Sequence, residues 1–186
     1  MVKFLRTVKP ALILFGVMTL LCGVIYPAVV TGIAQWWFPH QANGSALAVT
    51  LEDGTTVSYG SELIAQQFTK PGYLIGRPMG VTNLSPVSEK QETLVQERIA
   101  WWHALDPENT QDIPMDLVTA SGSGVDPNIS PEAAEYQVRR IAKARGIPKE
   151  AVRVVIEKHT TGCFLGFIGE PAVNVLKVNL ALDGLI

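Results

Sequence analysis

The sequence has few of the side chains on which enzyme and metal chemistry most often depends. It contains two cysteines and three histidines in 186 residues. Cys22 lies inside a long apolar run and Cys163 lies far along the rest of the chain, so a disulfide between them is implausible, and the cysteines neither establish nor exclude an oxidising compartment. No Cys/His pair has the spacing of metal ligands. The sequence therefore predicts no metal site.

Charge is missing from one continuous stretch near the N-terminus. From residue 11 to residue 33 there are 23 positions without a charged side chain. At about 1.5 Å per residue such a helix is roughly 34 Å long, which is enough to cross a hydrocarbon core of about 30 Å with a modest tilt. A cleaved signal peptide is the alternative, since Gly32 and Ala34 would fit a processing site, but the apolar part of a signal peptide is normally only about 7–15 residues long. The run predicts an uncleaved transmembrane helix over 11–33.

Bulky aromatic side chains stand directly behind this run, at Trp36, Trp37 and Phe38. Tryptophan is favoured at the membrane–water boundary because its ring is apolar while its N–H reaches water or headgroups. We interpret these residues as the belt at the far end of the span. Within the span, Ala28 and Gly32 are four residues apart and would let a neighbouring helix approach closely, although such a pair also arises by chance in an apolar helix.

The distribution of basic residues predicts the orientation of the chain. Lys3, Arg6 and Lys9 precede the apolar run, and the next charged residue after it is Glu52. Positive charge next to a span is retained on the cytoplasmic side, so we expect a basic cytoplasmic N-terminus, the span and a main domain outside the cytoplasm, with the bounds 1–10, 11–33 and 34–186. The chain carries a net charge of −2, which argues against a nucleic-acid partner.

The roughly 150 residues after the span are enough for one compact domain with its own core. Their local patterns predict both strands and helices. The predicted elements are a hairpin over 47–59 with a turn at Glu52-Asp53-Gly54, a helix from Ser61 to Phe68, a helix over 88–105 with a capping box at Ser88 and Gln91, a helix from Ser130-Pro131 to Gly146, a helix from Pro148 to about Lys158, and a last strand containing Val173, Val175 and Lys177. This mixture predicts the α+β class: one N-terminal transmembrane helix followed by a single mixed α+β extracytoplasmic domain.

The stretch SGSGVDPN at 121–128 is the nearest approach to a phosphate-binding loop. It lacks the Lys-Ser/Thr pair of a Walker motif and the third glycine of a dinucleotide fingerprint, so we interpret it as a tight loop that leads into a helix. Asp116 and Asp126 flank this loop. We expect them to serve turns and helix caps, the commoner use of such residues, rather than to bind a cation.

No catalytic set is visible in the sequence. The serines at 121 and 123 lie outside the G-x-S-x-G frame of a nucleophile elbow. The histidines are His40, His103 and His159, and a serine hydrolase would have to assemble from these distant positions by chance. We therefore expect a protein without catalytic residues.

Four basic residues follow one another along the helix predicted after Pro131, at positions 139, 140, 143 and 145. Glu135 lies four residues before Arg139, at the spacing of a helical ion pair. We interpret the four as a solvated face rather than as a nucleic-acid interface.

Four blocks of the sequence stand in a recognisable order. They are the span leading into QWWFPHQANGS, then GSELIAQQF…GYLIGRP at 60–78, DLVTASGSGVDPNISPEAAEYQVRRIAKARG at 116–146, and GEPAVNVLKVNLALD at 169–183. Together they resemble the KdpC family, the C subunits of the bacterial Kdp potassium-transporting P-type ATPases. The resemblance extends over nearly the whole chain. The chain departs from the family between Pro78 and Leu84, where a longer Gly/Ser/Asn-rich segment is usual.

The resemblance implies a non-catalytic accessory subunit of a high-affinity, ATP-driven potassium-uptake complex in the bacterial inner membrane, needed for its assembly and activity. The implied partners are an ATP-hydrolysing subunit, a potassium-channel-like subunit and a small subunit. The family is also described as a catalytic chaperone that raises the ATP affinity of the ATP-hydrolysing subunit. We expect no cofactor bound by the chain itself, with ATP acting through the pump subunit, because ATP is cytoplasmic and the main domain is predicted to be periplasmic. A stand-alone membrane-anchored envelope enzyme is the alternative.

The predicted orientation is tested by a reporter that is active only outside the cytoplasm, fused after Ile186. We expect this fusion to be active, because the three basic residues before the span hold the N-terminus in the cytoplasm. A reporter that is active only in the cytoplasm serves as the matched fusion at the same site. Activity of that second reporter would show that the orientation is reversed.

Overall fold

The structure is a computed structural model that describes residues 2–51, 53–81 and 83–186. The chain divides into two compact units, of which the first ends at Ala46 and the second is Leu47–Ile186. The predicted hairpin turn includes Glu52, which lies outside the described residues.

The first unit is helical almost throughout. Helix α1, Val2–Leu20, continues through one π-helical turn, Leu21–Ile25, into α2, Tyr26–Trp37. Proline has no N–H, and its ring clashes with the carbonyl four residues earlier. The π turn ends two residues before Pro27, and the Tyr26 N–H donates to the Leu21 carbonyl. Between Arg6 and Trp37 this unit is long and apolar enough to cross a membrane by length and composition. The whole predicted span, 11–33, is therefore helical.

The second unit combines two small sheets with helices. A hairpin is formed by β1 and β2, and a three-stranded antiparallel sheet has the order β3-β5-β4. The elements in chain order are β1 Ala46–Thr50, β2 Thr56–Ser61, α4 Glu89–Leu105, a 3-10 turn Met115–Leu117, β3 Asn128–Ile129, α5 Pro131–Arg145, α6 Lys149–Lys158, β4 Thr160–Thr161, β5 Ala172–Asn174 and α7 Val175–Leu182, with the short α3, Pro39–Ala42, in the first unit. A span-like helix followed by a mixed domain confirms the predicted α+β class.

Helix α5 lies at the centre of the core of the second unit. The Ser130 side chain caps its start by accepting from the Ala133 N–H at 3.1 Å, and Gly146 ends it in the left-handed conformation, with φ of 66°. The Ile141 side chain on this helix is fully buried. Side chains from the segment 71–78, α4, α6, β5 and α7 complete the core around it, among them Leu74, Trp102, Val152, Val173 and Val178.

Two predicted elements are wrong, and in both cases a tertiary contact decides the local structure. The segment after Ser61 is a turn rather than a helix, because the Ala65 N–H donates to the Val125 carbonyl at 2.8 Å and is not available for a helical bond. The last strand ends at Asn174 instead of extending through Val175 to Lys177. The Asn174 side chain accepts from the Lys177 N–H at 3.1 Å and so caps α7. The other predicted elements, the hairpin and the helices α4, α5 and α6, are confirmed.

The segment 71–78 has no helix or strand, yet it passes through the core. Asn179 on α7 accepts from the Leu74 N–H at 2.7 Å and donates to the Leu74 carbonyl at 2.9 Å. Gln137 on α5 accepts from the Ile75 N–H at 2.8 Å and donates to the Ile75 carbonyl at 2.9 Å. Two amide side chains thus supply the hydrogen bonds that neighbouring strands would otherwise give. We call this arrangement the amide clamp.

The amide clamp predicts a large loss of stability for Asn179→Ala. Truncation leaves the Leu74 N–H and carbonyl buried without partners, so we expect the free energy of unfolding of the full chain in detergent to fall by about 2–4 kcal/mol. Urea unfolding followed by circular dichroism measures the loss.

A second variant, Asn179→Asp, keeps the shape and gives the pH dependence that tests the mechanism. Burial raises the folded-state pKa of the new carboxyl, whose protonated form alone can donate to the Leu74 carbonyl. The deficit relative to the unmodified chain should be small below about pH 4, the pKa in the unfolded chain, and should grow as the pH rises toward the folded-state pKa. A deficit independent of pH would contradict the proposed role of this donor.

Candidate functional site

The candidate site surrounds the segment 71–78, whose backbone is bonded by side chains from two helices. Arg140 on α5 is buried, with 5% of its surface exposed, and its guanidinium donates to the carbonyls of Pro71 and Tyr73 and, at 2.6 Å, to the Gln137 side chain. It also lies 5.7 Å from the centre of the Trp102 ring. Burial lowers the pKa of Arg140 to about 10, so the group is still positively charged at neutral pH. Arg140 therefore extends the amide clamp with a buried cation.

The predicted solvated face on α5 is consequently wrong for three of its four members. Arg140 is inside the domain, and Arg145 pairs with Asp183 at 2.7 Å while its guanidinium lies 4.9 Å from the centre of the Tyr73 ring. Arg139 pairs with Asp106 at 2.7 Å rather than with the predicted Glu135. The carboxylates and ring that neutralise or cover these cations come from distant parts of the chain, and a helical spacing rule does not reveal them.

Glu135 is used elsewhere, since it pairs with Arg153 on α6. Lys143 is the one member of the predicted face that is largely exposed, with 71% of its side chain accessible, and it pairs with Glu108 at 2.7 Å. Exposed pairs of this kind contribute little to stability. They therefore give no reason to assign this face a function.

The end of the segment 71–78 is held by the Asp116 carboxylate, which makes tertiary contacts rather than the turn or helix cap expected from the sequence. One Asp116 oxygen accepts from Arg77 at 2.6 Å, and the other accepts from the Ser130 N–H at 2.7 Å. Asp126 accepts from the Asn128 N–H at 2.9 Å, which is a turn hydrogen bond. Asp116 therefore ties the clamped segment to the start of α5.

A cavity of about 210 Å³ lies beside this ion pair. Its polar lining includes Gln66, Thr69, Arg77 and Arg98, and its apolar lining includes Trp101. Arg98 donates to the Val118 carbonyl at 2.7 Å, and no ion pair of Arg98 with a carboxylate is found within the part of the chain that the structure describes. Guanidinium and amide groups beside an indole ring suit hydrogen bonding to an acidic or amide-bearing side chain. They do not supply a nucleophile or a general base.

The loop at 121–128 uses its own side chains to satisfy its backbone. The Ser121 hydroxyl accepts from the N–H groups of Gly124 and Asp126, at 3.0 and 3.4 Å, and the Ser123 hydroxyl accepts from the Val125 N–H at 3.2 Å. A phosphate loop instead presents such N–H groups to its ligand. The loop is anchored from outside by the Gly80 N–H, which donates to the Gly124 carbonyl at 2.9 Å.

The three histidines lie in different elements of the structure. His40 lies in α3, His103 in α4, and His159 directly after α6. Burial, with Lys158 and Lys177 nearby, lowers the pKa of His159, so this ring is neutral at pH 7. Among the described residues, no three side chains of His, Cys, Asp or Glu are arranged to hold a metal ion.

The residues predicted to contact membrane and partner lie in the first unit. The rings of Trp36 and Trp37 stack with their centres 5.5 Å apart at the end of α2, and Phe38 ends the helix with φ of −134° and ψ of 53°. Ala28 and Gly32 are exposed on α2, and a Cβ added at Gly32 would meet no atom within 4 Å. Their roles as interface belt and packing face remain predictions.

Sequence reasoning missed the amide clamp. Its polar and charged residues, Gln137, Arg140 and Asn179, lie within helices, and Gln137 and Asn179 stand between apolar neighbours. For Asn179 the signal was present, because it interrupts the otherwise apolar run from Val178 to Leu182. A buried polar side chain in such a run must find partners, and here the partners are backbone groups.

Comparison with known proteins gives consistent matches over the chain. A sequence profile for KdpC, described as the c chain of the K+-transporting ATPase, matches residues 8–184. A protein of Listeria welshimeri named "Potassium-transporting ATPase KdpC subunit" is 56% identical over 188 residues, covering 100% of this chain and 99% of that protein. Proteins with the same name from Polaromonas naphthalenivorans and Clostridium perfringens are 49% and 45% identical, covering 95% and 98% of this chain and 94% and 99% of their own lengths.

The contact between the loops at Gly80 and Gly124 can be tested by substitution, with Gly122 as the control position. A Cβ at Gly124, whose φ is 69°, would lie 2.7 Å from the Gly80 carbonyl carbon, whereas a Cβ at Gly122 would meet no atom within 4 Å. Gly124→Ala should therefore lower the free energy of unfolding by about 1–3 kcal/mol, and Gly122→Ala should leave it within about 0.5 kcal/mol. Thermal unfolding of both full-length variants measures the difference. Equal effects would mean that the loops do not pack as closely as described.

Proposed function

This chain belongs to the KdpC family, the c chain of the potassium-transporting ATPase, and from that membership we propose that it is the non-catalytic accessory subunit of a high-affinity, ATP-driven potassium-uptake complex. The observation that carries the proposal is the match over residues 8–184, with a relative that covers 100% of the chain. The absence of a visible catalytic set in the sequence agrees with this role. It gives no support to the alternative of a stand-alone envelope enzyme.

A subunit of this design acts through partners. A selective ion path requires oxygens converging on the ion from several sides, and one helix offers them from one side only. The apolar run 11–33 also carries no charged residue that would mark an ion route. The partners in the proposal are an ATP-hydrolysing subunit, a channel-like subunit that carries potassium, and a small subunit.

The proposed location is the bacterial inner membrane, with one span, the N-terminus in the cytoplasm and the main domain in the periplasm. The basic residues before the span, Lys3, Arg6 and Lys9, and the lack of charge directly after it support this orientation. Trp36, Trp37 and Phe38 would fix the depth of the helix at the outer boundary.

The proposed contribution to activity is that of a catalytic chaperone, which raises the ATP affinity of the ATP-hydrolysing subunit. Because ATP is cytoplasmic, the effect must reach the nucleotide site through the complex, by preferential binding of this subunit to the conformation with higher ATP affinity. The occupied N–H groups of the loop 121–128 support this indirect route over direct nucleotide binding. No cofactor is assigned to the chain itself.

The assembly surface in the span is proposed to be the face that contains Ala28 and Gly32. Small side chains at this spacing let two helix backbones approach closely. Replacing both by leucine should loosen the complex in detergent and slow growth at limiting potassium, with normal growth in ample potassium. Co-purification of the pump subunits and growth at limiting potassium are the two measurements.

The matched control is the pair Val30→Leu and Ala34→Leu, also four residues apart on α2. At about 100° per residue these positions lie on the opposite side of the helix, so the control should retain the complex. Undiminished co-purification by the Ala28/Gly32 double variant, with full growth, would remove this face from the assembly surface and leave the main domain to hold the complex.

A further inference from the structure

An apolar hairpin projects from the second unit between β4 and β5. Phe164 and Ile168 pair across it, with 2.8 Å from the Phe164 N–H to the Ile168 carbonyl and 2.9 Å in the reverse direction. Leu165 and Gly166 form its tip with positive φ of 53° and 82°. We call residues 163–168 the apolar hairpin.

The large side chains of the apolar hairpin are hydrophobic, yet much of their surface is exposed. The exposed fractions are 69% for Phe164, 70% for Leu165, 77% for Phe167 and 49% for Ile168. If each of the four side chains has an area of about 150–250 Å², their exposed parts add up to roughly 500 Å² of apolar surface at the hairpin. Soluble surfaces rarely expose patches of more than a few hundred Å² unless these bind something.

The apolar hairpin is held in shape before any partner binds. Besides the paired bonds, the Gly166 N–H donates to the Cys163 carbonyl at 3.2 Å, and the Cys163 thiol donates to the Gly169 carbonyl at 3.2 Å. Cβ atoms added at Gly162, Gly166 and Gly169 would meet no atom within 4 Å. The hairpin therefore projects into open space in a fixed shape, and docking it costs little ordering entropy.

The charges around the apolar hairpin favour a protein surface over a lipid surface. The charged residues nearest to it in sequence are Lys158 on one side and Glu170 on the other, and their charges cancel. Loops and helices that insert at a bilayer surface combine an apolar tip with an excess of Lys and Arg that binds anionic headgroups. The two flanking residues supply no such excess, so the apolar hairpin is better matched to an apolar protein pocket.

The area of the apolar hairpin indicates that its partner is a protein already bound to this chain elsewhere. A stable interface buries about 800 Å² on each partner, so roughly 500 Å² is too little for the hairpin to capture a free protein. A partner already held by the span needs less, because the tether raises its effective concentration.

We propose that the apolar hairpin docks, with Phe164 and Phe167 as its anchors, into an apolar pocket on the extracytoplasmic surface of a multi-spanning subunit of the transport complex. This inference rests on the proposed function. It adds a second contact, on the main domain, to the helix contact at Ala28 and Gly32. Aromatic anchors seated in pockets commonly dominate the energy of such interfaces.

The first test is the double variant Phe164→Ser and Phe167→Ser in the full chain, co-expressed with the other subunits. Because both side chains are exposed, its thermal unfolding should match that of the unmodified chain, while the amount of pump subunits co-purified falls about tenfold. The control, Val87→Ser with Met115→Ser, removes two equally exposed apolar side chains, at 93% and 73% exposure, and should co-purify normally.

The second test replaces Phe167 by the photoreactive benzoylphenylalanine, which keeps an aromatic side chain at this position. A crosslink to a multi-spanning subunit is expected, and crosslinking only to lipid would overturn the proposal in favour of membrane insertion. Normal co-purification of the serine double variant would overturn the hairpin proposal alone. Failure of the unmodified chain to co-purify with any pump subunit would overturn the proposed function and the hairpin proposal with it.

Discussion

The backbone of Leu74 and Ile75 is bonded on both its N–H and its carbonyl groups by amide side chains, Asn179 from α7 and Gln137 from α5. An irregular segment can cross a core only when every buried backbone group has a partner. Here the partners come from two helices that are far apart in sequence, so these helices are fixed to each other through the segment between them. The positions of Arg140, Arg77 and the cavity beside Trp101 all follow from this one constraint.

The charged groups at the centre of this arrangement are used to hold the fold together. Its buried cation, Arg140, is directed at carbonyl oxygens and a neutral amide, and its carboxylate Asp116 is used twice for structure. Hydrogen bonds between polar groups inside a domain hold its shape. The cavity lining beside Trp101 and the apolar hairpin are among the parts of the described chain that the fold leaves exposed.

The predictions from sequence succeeded where the cause was local. Ser88, Ser130 and Gly146 set helix ends through contacts within a few residues, and these helices lie where they were expected. Ser61 and Asn174 have side chains that can cap a helix in the same way. Ser61 accepts from the Leu63 N–H within a turn, because the Ala65 N–H bonds to Val125, whereas Asn174 caps α7 by accepting from the Lys177 N–H. Of the site, the turn role of Asp126 was predictable, whereas the clamp by Gln137 and Asn179 was not, because its partners are 62 and 105 residues away.

The π turn at Leu21–Ile25 changes the direction in which side chains point along the long helix. Its widened turn takes up one residue more than an α turn, which rotates everything after it by about 100° relative to an uninterrupted α-helix. A stripe of side chains that runs along one side of α1 therefore does not continue straight onto the stripe that contains Ala28 and Gly32 on α2. A helix of this shape presents two stripes of side chains that point in different directions at two levels along its axis.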